Sequence, residues 1–414
     1  MPIVVLIGTL DTKGPEYAFV IEQLHGLGVK TILIDAGIGE PTVDAAPDYP
    51  AEKTAEAGGA TLSQLRSGND RGTAMTAMAA GATRIVLDLH RLGQLDAILA
   101  LGGSGGTTVA TAAMRALPIG VPKLMVSTMA AGDVGPYVGP ADIMMLYPVI
   151  DFAGLNVVSE RVLTNAVTAI AALSKSAAPS RTSARGPVVA ITMFGVTTPA
   201  ATHARAVLEA KGYEVLVFHA NGAGGRSMER LIADGFIEGV LDLTTTELAD
   251  ELVGGTLSAG LERLEIAGRM GLPQVVSIGA LDMVNFGPFE TVPKRFAGRL
   301  FHKHNANVTL MRTTLDECAG LGRLIAKKLN GAIGPVEVVL PSRGVSAISK
   351  AGGTFYNPDA DTALIHALES NLEPAIPCQI IKTDINDPAF ATALAQRLDQ
   401  LMRSRTAARA AMAL

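Results

Sequence analysis

The sequence predicts an α/β fold of two domains, each built on a mostly parallel β-sheet with helices on both faces. Three observations lead to this prediction. Short apolar runs alternate with longer amphipathic ones along the chain, which is typical of parallel strands joined by helical crossovers. Glycine is abundant, with 44 in 414 residues, and tight strand-to-helix turns use it. With 48% hydrophobic and 18% charged residues, the composition excludes an intrinsically disordered chain.

The first half of the chain predicts five strands separated by helices. The predicted strands are residues 3–7, 31–34, 97–101, 123–127 and 143–149. The predicted helices are residues 16–26, 73–92, 107–117 and 155–173. The stretch 41–59 carries Pro, Asp and Gly, and we interpret it as a loop long enough to be a lid or a partner surface.

A small, polar, proline-bearing segment, KSAAPSRTSARG, predicts a linker between the domains. We therefore place the domains at residues 1–178 and 187–414, with the linker at 179–186. The strands predicted after it are residues 188–193, 214–219, 239–243, 274–279, 308–311 and 336–340. The helices predicted after it are residues 202–211, 227–234, 316–329 and 388–403.

Charge and composition exclude several classes of partner. The net charge of −5 gives no electrostatic footprint for duplex nucleic acid or an anionic membrane. Tryptophan is absent and aromatic residues make up 4%, which argues against a base-stacking platform. Two cysteines form neither a metal cluster nor a disulfide framework. With no signal-peptide pattern and no run of about 18 apolar residues, we expect a cytoplasmic protein.

Ligands of open parallel sheets bind beyond the carboxyl ends of the strands. The first polar turn, GTLDTKG at residues 8–14, lies between a buried strand and a helix. A helix N-terminus favours an anion, and Lys13 can add a point charge on a phosphate. The alternative is a polar turn in which Asp11 caps the helix. The turn is not a Walker A loop, because its lysine precedes the glycine.

The second polar turn, GGSGGTT at residues 102–108, has four glycines in its first five positions. This allows backbone N–H groups to converge on a ligand, and Thr107 can cap the helix or contact a phosphate. A purely structural turn needs one or two glycines, so we favour anion binding here. The turn resembles the G-G-D-G-T phosphate turns of phosphofructokinases, with Ser104 in place of their aspartate.

The third polar turn follows the fourth strand and contains Thr128 and Asp133. Asp133 could hold Mg²⁺ through water or bind a ribose hydroxyl, or it could form an Asx turn. Asp35, at the end of the second strand, occupies the usual ribose-binding location of dinucleotide folds. No G-x-G-x-x-G motif opens the domain, so NAD is disfavoured.

Five polar turns after strands of the second domain suggest a small-molecule pocket that recognises carboxylate or phosphate through Arg343. The alternative is that each turn only reverses the chain. We take His219, Asp282 and Arg343 as candidate catalytic residues. The candidate substrate-binding residues are Thr197, Thr198, Asn221, Gly224, Gly225, Ser342 and Arg343.

One basic stretch, residues 294–312, contains His302 and His304. A zinc site would need at least two further ligands, so a solvated rim, an entry for an acidic substrate or a subunit contact explains it more simply. No Ser-His-Asp, Cys-His or G-x-S-x-G arrangement supports nucleophilic catalysis.

The motifs GTLDTKGPE, LGGSGGT and STMAAGDVGPYVG closely resemble the family of the tomato mosaic virus resistance protein, whose bacterial members form an uncharacterised protein family. The resemblance covers almost all 414 residues. It continues through MFGVTTPA, FHANGAGG, DLTTTEL, HKHNANVTLMRT and LPSRGVSAI. Plant members carry a further barrel-like domain, and we expect no antiviral activity from this chain.

The resemblance implies two Rossmann-like domains, a homodimer and ATP bound by the first domain. It makes candidate nucleotide contacts of Thr9, Asp11, Lys13, Gly103, Ser104, Gly105, Gly106 and Thr107. The strand-end turns themselves add Asp35, Thr128 and Asp133 as candidates.

The leading hypothesis is an ATP-dependent enzyme, kinase- or ligase-like, acting on a small acidic metabolite in the interdomain cleft, with Mg²⁺ held by Asp11 or Asp133. The first alternative is a non-catalytic nucleotide sensor that binds a partner protein through residues 41–59. The second is a hydrolase or lyase whose site lies in the second domain.

Overall fold

The computed structural model describes residues 1–42, 46–68, 70–176 and 186–412. The chain divides into two compact units, which we call unit 1 (described residues up to 176) and unit 2 (described residues from 186). Except for Gly186, the predicted linker at residues 179–186 lies outside the described residues.

Unit 1 contains a five-stranded parallel sheet in the order β2-β1-β3-β4-β5. The strands are β1 (Ile3–Gly8), β2 (Lys30–Asp35), β3 (Ala97–Gly102), β4 (Lys123–Ser127) and β5 (Ile143–Leu146). From β1 the chain moves to β2 on one side, and β3 then lies on the other side of β1. The carboxyl ends of β1 and β3 are therefore a topological switch point, where such sheets bind ligands.

Helices cover both faces of this sheet because successive residues of each strand point in opposite directions. The helices are α1 (Leu10–Gly26), α2 (Ala51–Ala57), α3 (Leu62–Ser67), α4 (Arg71–Arg91), α5 (Ser104–Ala116), α6 (Gly135–Val138) and α7 (Val157–Ser174). Val5 and Ile7 of β1 pack with residues of α2, α4 and α5. Val4 and Leu6 pack with residues of α1 and α7.

Two predictions for unit 1 need correction. Helix α1 begins at Leu10 rather than at residue 16, so the first polar turn forms the first turn of a helix. The expected loop at 41–59 contains α2, whose Ala51, Thr54 and Ala55 are buried. Small residues let this short helix pack closely: a Cβ on Gly81 of α4 would lie 1.8 Å from the Thr54 carbonyl oxygen.

By length and composition, α7 is the one helix in the described part of the chain that could cross a membrane. Its Leu163, Val167 and Ile170 are instead buried against the sheet of unit 1. The apolar character of α7 is therefore that of a core helix.

The main sheet of unit 2 has six parallel strands in the order β14-β13-β9-β8-β6-β7. The strands are β6 (Val188–Met193), β7 (Glu214–His219), β8 (Gly239–Thr244), β9 (Gln274–Gly279), β13 (Val336–Pro341) and β14 (Cys378–Ile381). The helices are α8 (Thr198–Ala210), α9 (Ala223–Ala233), α10 (Glu247–Val253), α11 (Ile266–Arg269), α12 (Leu315–Asn330), α13 (Pro358–Asn371) and α14 (Pro388–Met412). One face packs against α8 and α14, and the other against the remaining helices. The predicted Rossmann-like α/β class is thereby confirmed.

A second, antiparallel sheet in unit 2 corrects another prediction. It consists of β10 (Met283–Phe286), β11 (Phe301–Asn305) and β12 (Val308–Arg312), in the order β10-β12-β11. Residues 308–311 were expected to continue the parallel sheet. Only residues 306–307 separate β11 from β12, and a connection this short allows only an antiparallel return.

Candidate functional site

A cavity of about 560 Å³ lies at the switch point of unit 1. It is bounded by the first turn of α1, the first turn of α5 and the N-terminal part of α4. Its volume falls within the range of about 300–1,000 Å³ that small-molecule sites occupy. Its lining includes seven of the residues predicted to contact a nucleotide: Thr9, Asp11, Lys13, Gly103, Ser104, Gly105 and Gly106. Arg71, Met75 and Asp151 also line it.

Tyr17 fixes the backbone beneath this cavity. Its hydroxyl donates to the carbonyl of Ile7 and accepts the N–H of Leu101 at 2.8 Å, so it joins the ends of β1 and β3. Burial raises the pKa of the Tyr17 phenol far above its ordinary value. A Cβ on Gly8 would lie 2.4 Å from the Tyr17 ring, so glycine at position 8 leaves room for that ring.

The first turn of α5 presents unpaired backbone donors to the cavity. Gly103 is the N-cap residue, and no side chain among the described residues accepts a hydrogen bond from the first N–H groups of the helix. The first backbone hydrogen bond of the helix runs from the Thr107 N–H to the Gly103 carbonyl, at 2.9 Å. The N–H groups of residues 104–106 have no hydrogen-bond partner within the described ranges. Free N–H groups at the positive end of a helix dipole are suited to an anion.

Three cationic side chains of the described residues also line the cavity: Lys13, Arg66 and Arg71. Arg66 donates to the carbonyls of Ile38 and Gly39 and pairs with Glu40. The Lys13 ammonium donates to the carbonyl oxygen of Phe152 and lies 6.0 Å from that ring. Lys13 leaves helical geometry, with φ −131° and ψ 20°. The guanidinium of Arg71 lies beside Gly105, where an added Cβ would be 3.2 Å from Arg71 Nη2. Arg71 has neither an ion pair nor a hydrogen bond to any other described side chain or carbonyl.

Asp11 brings a carboxylate to the cavity. Its Oδ2 accepts the N–H of Gly39 at 2.8 Å, whereas its buried Oδ1 has no hydrogen-bond partner in the part of the chain that the structure describes. A buried carboxylate oxygen without a partner costs about 1–3 kcal/mol, or more when charged. A ligand hydroxyl or a cation at this position would satisfy Oδ1.

Asp35 lies beside the cavity rather than in its lining. It is 2% exposed, and its Oδ1 accepts the N–H groups of Leu10 at 3.2 Å and Gly37 at 2.8 Å. Burial raises the pKa of Asp35, with a smaller contribution from the neighbouring Asp11. In this arrangement the Asp35 carboxylate ties the end of β2 to the start of α1.

Three other candidates of unit 1 serve the backbone around the cavity without lining it. The buried hydroxyl of Thr107 contacts the Gly103 carbonyl at 2.7 Å and the Ser127 hydroxyl at 2.6 Å. The hydroxyl of Thr128 would lie 3.7 Å from a Cβ on Gly103. The Asp133 carboxylate accepts the N–H of Gly135 at 2.9 Å. This hydrogen bond corresponds to the Asx turn, one of the alternatives considered for Asp133.

One helix N-terminus in unit 2, that of α9, is already occupied by a carboxylate of the chain itself. Oε1 of Glu247 accepts the N–H groups of Gly222 at 2.7 Å and Gly225 at 3.1 Å, at the start of α9. A Cβ on Gly225 would lie 2.3 Å from Glu247 Oε2, and one on Gly224 would lie 2.0 Å from the His219 carbonyl oxygen. These two candidate substrate-binding glycines therefore make room for the protein's own groups.

Glu247 belongs to a buried cluster of charges around Arg263, which is 1% exposed. Arg263 Nη2 donates to Asp242 at 2.7 Å and its Nε donates to Glu247 at 2.7 Å. Its Nη1 donates to Asp242 as well and lies 3.4 Å from Glu229. Burial alone would lower the pKa of Arg263, but these three carboxylates hold it well above its ordinary value.

Asp282, a candidate catalytic residue, is fully buried between the main sheet and β10. Its Oδ2 accepts the Ser346 hydroxyl at 2.8 Å, and its Oδ1 has no partner in the described part of the chain. Burial raises the pKa of Asp282 to about 7, although the charge of Arg312 opposes this shift. A carboxyl group that is half-protonated near neutral pH is suited to proton transfer, but Asp282 lines none of the cavities described here.

We expect Asp282 to make unit 2 less stable as the pH rises. Its pKa is 3.8 in the unfolded chain and about 7 in the fold, so the fold keeps a proton that the unfolded chain releases between these values. The free energy of unfolding should fall by up to about 1.4 kcal/mol per pH unit across this window. Urea unfolding of wild type and of Asp282→Asn at several pH values measures the difference. The substitution should flatten the profile, and the exposed control Asp359→Asn should not; equal slopes for wild type and Asp282→Asn would contradict the expectation.

The candidate catalytic residues of unit 2 do not meet in one cavity. His219 and Asn221 line a cavity of about 310 Å³ whose lining includes neither Asp282 nor Arg343. Arg343 is exposed at the end of β13, four strand positions from β7, which corresponds to roughly 19 Å at about 4.8 Å per strand. Ser342 is its exposed neighbour.

Thr197 and Thr198 hold the turn after β6. Both hydroxyls donate to the Phe194 carbonyl, at 3.1 Å each. The Thr197 hydroxyl also contacts that of Thr244 at 2.7 Å. These hydrogen bonds fit the alternative in which the turn only reverses the chain.

The basic stretch 294–312 is only partly a solvated rim. Arg312 is 4% exposed and pairs with Asp361 at 2.6 Å, and Arg299 pairs with Glu317 at 2.6 Å. Among the described residues, no group of three or more His, Cys, Asp or Glu could hold a metal ion.

Sequence reasoning missed Arg71 and Arg263. Arg71 is the first residue of α4 and follows the N-cap Asp70, a capping pattern from which the helix start could have been predicted. No local pattern marks Arg263, because its three acidic partners lie 16 to 34 residues away along the chain.

Comparison with known proteins gives matches along most of the chain. The family described as Uncharacterised protein family (UPF0261) matches with its N-terminal domain at residues 2–179 and its C-terminal domain at residues 186–402. A UPF0261 protein of Clostridium tetani is 47% identical over 401 residues, covering 96% of this chain and 98% of that protein. A UPF0261 protein of Rhizobium meliloti is 46% identical over 390 residues, covering 94% and 96%.

A plant relative and a solved structure are also similar. The ToMV resistance protein Tm-1(GCR237) of Solanum lycopersicum is 40% identical over 415 residues, which cover 95% of this chain and 55% of the tomato protein. The crystal structure of Acinetobacter baumannii MurG is 11% identical with a TM-score of 0.22, over 98% of this chain and 94% of that one. At this TM-score the likeness to MurG carries no argument.

Proposed function

We propose that unit 1 of this chain, which belongs to the UPF0261 family, binds ATP with the phosphates on the first turn of α5. The family's two domains match residues 2–179 and 186–402, and the resemblance to the family of the tomato protein is confirmed at 40% identity. The observation that carries the proposal is the meeting, in one cavity, of three backbone N–H groups and a guanidinium that have no partner among the described residues.

Phosphate binding is supported by the composition of the α5 turn. Glycines at 103, 105 and 106 keep side chains away from the N–H groups of that turn. Arg71 lies over Gly105, where it can form charge-assisted hydrogen bonds with phosphate oxygens. Lys13, held by the Phe152 carbonyl, adds a second positive charge on the α1 side of the cavity.

The rest of the cavity suits a nucleoside. Its lining includes the apolar side chains of Ile38, Leu65, Met75, Met78 and Val109, which can pack against the flat face of a base. Inorganic phosphate would leave this apolar wall without a ligand group to cover it. A ligand with an anionic group and a planar apolar group accounts for both kinds of lining residue.

Mg²⁺ is implied by an ATP ligand, and Asp11 fits it. Mg²⁺ is usually held by one or two carboxylates together with phosphate oxygens and waters, and Asp11 offers a buried oxygen without a partner among the described residues. When bound, the ion would neutralise phosphate charge. Asp133 is not needed for this arrangement, because its carboxylate is engaged in the turn at Gly135.

Calorimetric titration tests the proposal, with ATP in the presence and absence of Mg²⁺ and with ADP and NAD as comparison ligands. Arg71→Ala should weaken ATP binding about 10- to 30-fold, which is the loss of one charge-assisted interaction of about 1.5–2 kcal/mol. Arg91→Ala is the matched control, because Arg91 is exposed at the opposite end of the same helix, and it should bind as wild type does. No ATP binding by the wild-type protein would overturn the proposal.

One observation favours ATP binding without turnover, the nucleotide-sensor alternative. The three candidate catalytic residues His219, Asp282 and Arg343 do not share a cavity in unit 2. They therefore do not form a common catalytic site there. An enzyme of the kinase or ligase type would convert ATP to ADP, or to AMP and pyrophosphate, in the presence of a small acid. Coupled assays for ADP and for pyrophosphate, with a panel of small carboxylic acids, distinguish the two, and turnover would favour the enzyme.

A further inference from the structure

We infer that unit 2 holds a second small-molecule site, which binds a carboxylate attached to an apolar or aromatic body. The site is the cavity of about 310 Å³ beyond the carboxyl ends of β6 and β7. It lies under the hairpin formed by β11 and β12 and involves no residue of unit 1. The inference therefore does not rest on ATP binding by unit 1.

The polar side chains in the lining of this cavity offer nitrogen atoms. Oδ1 of Asn221 accepts the N–H of Gly224 at 3.0 Å, and Oδ1 of Asn305 accepts the N–H of Asn307 at 2.8 Å. Because both amide oxygens are engaged, both NH₂ groups remain as donors. They have no partner elsewhere in the described ranges.

Two imidazoles complete this set. His219 packs edge-on against Phe194, with 5.2 Å between ring centroids, which fixes the plane of its ring. Neither the His219 imidazole nor the His304 imidazole forms a hydrogen bond or ion pair with another described residue. No Asp or Glu is among the described residues that line the cavity. Two amides and two imidazoles, with no acidic neighbour, match a ligand that accepts hydrogen bonds and carries negative charge.

The other side chains that line the cavity are apolar, and they favour a ligand whose uncharged part is apolar. The apolar part of the lining consists of Phe194, Val196, Leu257, Val308 and Leu310. The volume is at the lower end of the range for small-molecule sites, so the ligand is small.

A phosphate group is disfavoured as the anionic end. The described lining of the cavity contains no Lys or Arg. Of the two helices that begin beside it, α9 has its N-terminus occupied by the Glu247 carboxylate. At the start of α8, Pro199 has no N–H and the Ala200 N–H donates to Asn386. Phosphate monoesters usually depend on such a helix end or on a guanidinium. The donors of this cavity can satisfy the single charge of a carboxylate.

The test is an NMR titration of the full chain with histidine-selective isotope labels, using acetate, benzoate and phenylacetate as probes. His219→Gln and His304→Gln assign the two resonances. We expect benzoate or phenylacetate to shift both resonances saturably, whereas benzamide should bind at least about 10-fold more weakly for lack of the charge. Equal binding of benzamide, or no shift with any of the three carboxylates, would overturn the inference.

A cavity-filling variant locates the binding. A Cβ on Gly195 meets no atom within 4 Å, so Gly195→Leu should project into the cavity without disturbing the fold. Gly331→Leu is the matched control, because Gly331 is exposed in the same unit, outside this cavity. Gly195→Leu should abolish the histidine shifts while the control and the thermal unfolding midpoint stay unchanged. Persistence of the shifts in Gly195→Leu would also contradict the inference.

Discussion

Replacement of Arg263 by methionine should lower the free energy of unfolding of unit 2 by about 3–5 kcal/mol, which is the cost of removing one partner from a buried ion cluster. Arg263 is 1% exposed. Without it, the carboxylates of Asp242 and Glu247 would face each other in a region closed to water. Methionine fills most of the volume, so the loss reports the missing charge and hydrogen bonds rather than a cavity.

Equilibrium urea unfolding followed by far-UV circular dichroism measures this effect, since the chain has no tryptophan to serve as a fluorescent probe. Hydrogen exchange of peptides from β8 and β9 assigns the transition to unit 2. Arg269→Met is the control, because Arg269 is half exposed and pairs with Glu265 on the surface. Its effect should stay within about 1 kcal/mol. If the two variants lose the same stability, the buried cluster does not hold unit 2 together.

Replacement of Gly105 by valine should weaken ATP binding by at least about 100-fold while unit 1 stays folded. An added Cβ would lie 3.2 Å from Arg71 Nη2 and 3.5 Å from Met75 Cε. Both atoms are at the ends of flexible side chains, so the fold can accommodate the new group. The branched methyl groups would occupy the space of the phosphates and displace Arg71. Removal of two charge-assisted hydrogen bonds to the phosphates would cost about 3 kcal/mol or more of binding free energy.

Calorimetry with ATP and Mg²⁺ gives the affinity, and circular dichroism confirms that the variant is folded. Gly132→Val serves as the control, because a Cβ there has no neighbour closer than the Met129 carbonyl oxygen at 3.9 Å and Gly132 lies outside the cavity lining. The control should bind ATP within about twofold of wild type. Unchanged affinity in a folded Gly105→Val would place the nucleotide elsewhere.

Much of the fold could be predicted from the sequence because most strands of the parallel sheets contain a continuous apolar run; β14, with the sequence CQII, does not and was missed. The predicted strands 188–193, 214–219 and 274–279 agree with β6, β7 and β9. Prediction failed for β12, whose apolar run is of the same kind but pairs with β11. That partner strand, FHKHN, is mostly polar, so no hydrophobic pattern identified the hairpin.

The parts of the candidate site that are formed by consecutive residues could be predicted from the sequence. The turns at residues 8–14 and 102–108 carry their chemistry in consecutive residues, and the structure brings both to one cavity. Arg71 could not be placed from sequence, because its position beside Gly105 depends on how α4 packs over the sheet. The same holds for Glu247, which reaches the start of α9 from 22 residues away.

The carboxylate of Glu247 has a consequence for how the two halves of the chain respond to supply in the cell. The α9 end in unit 2 has a permanently attached counter-ion, so it needs no diffusible anion. In the proposed ATP complex, the α5 end in unit 1 depends on a diffusible one. Occupancy at a hundredfold excess over Kd adds about 2.7 kcal/mol to the stability of unit 1, and depletion removes it. If unit 1 binds ATP as proposed, nucleotide scarcity would lower the resistance of the first half of the chain to proteolysis, and the lifetime of the protein would follow nucleotide supply.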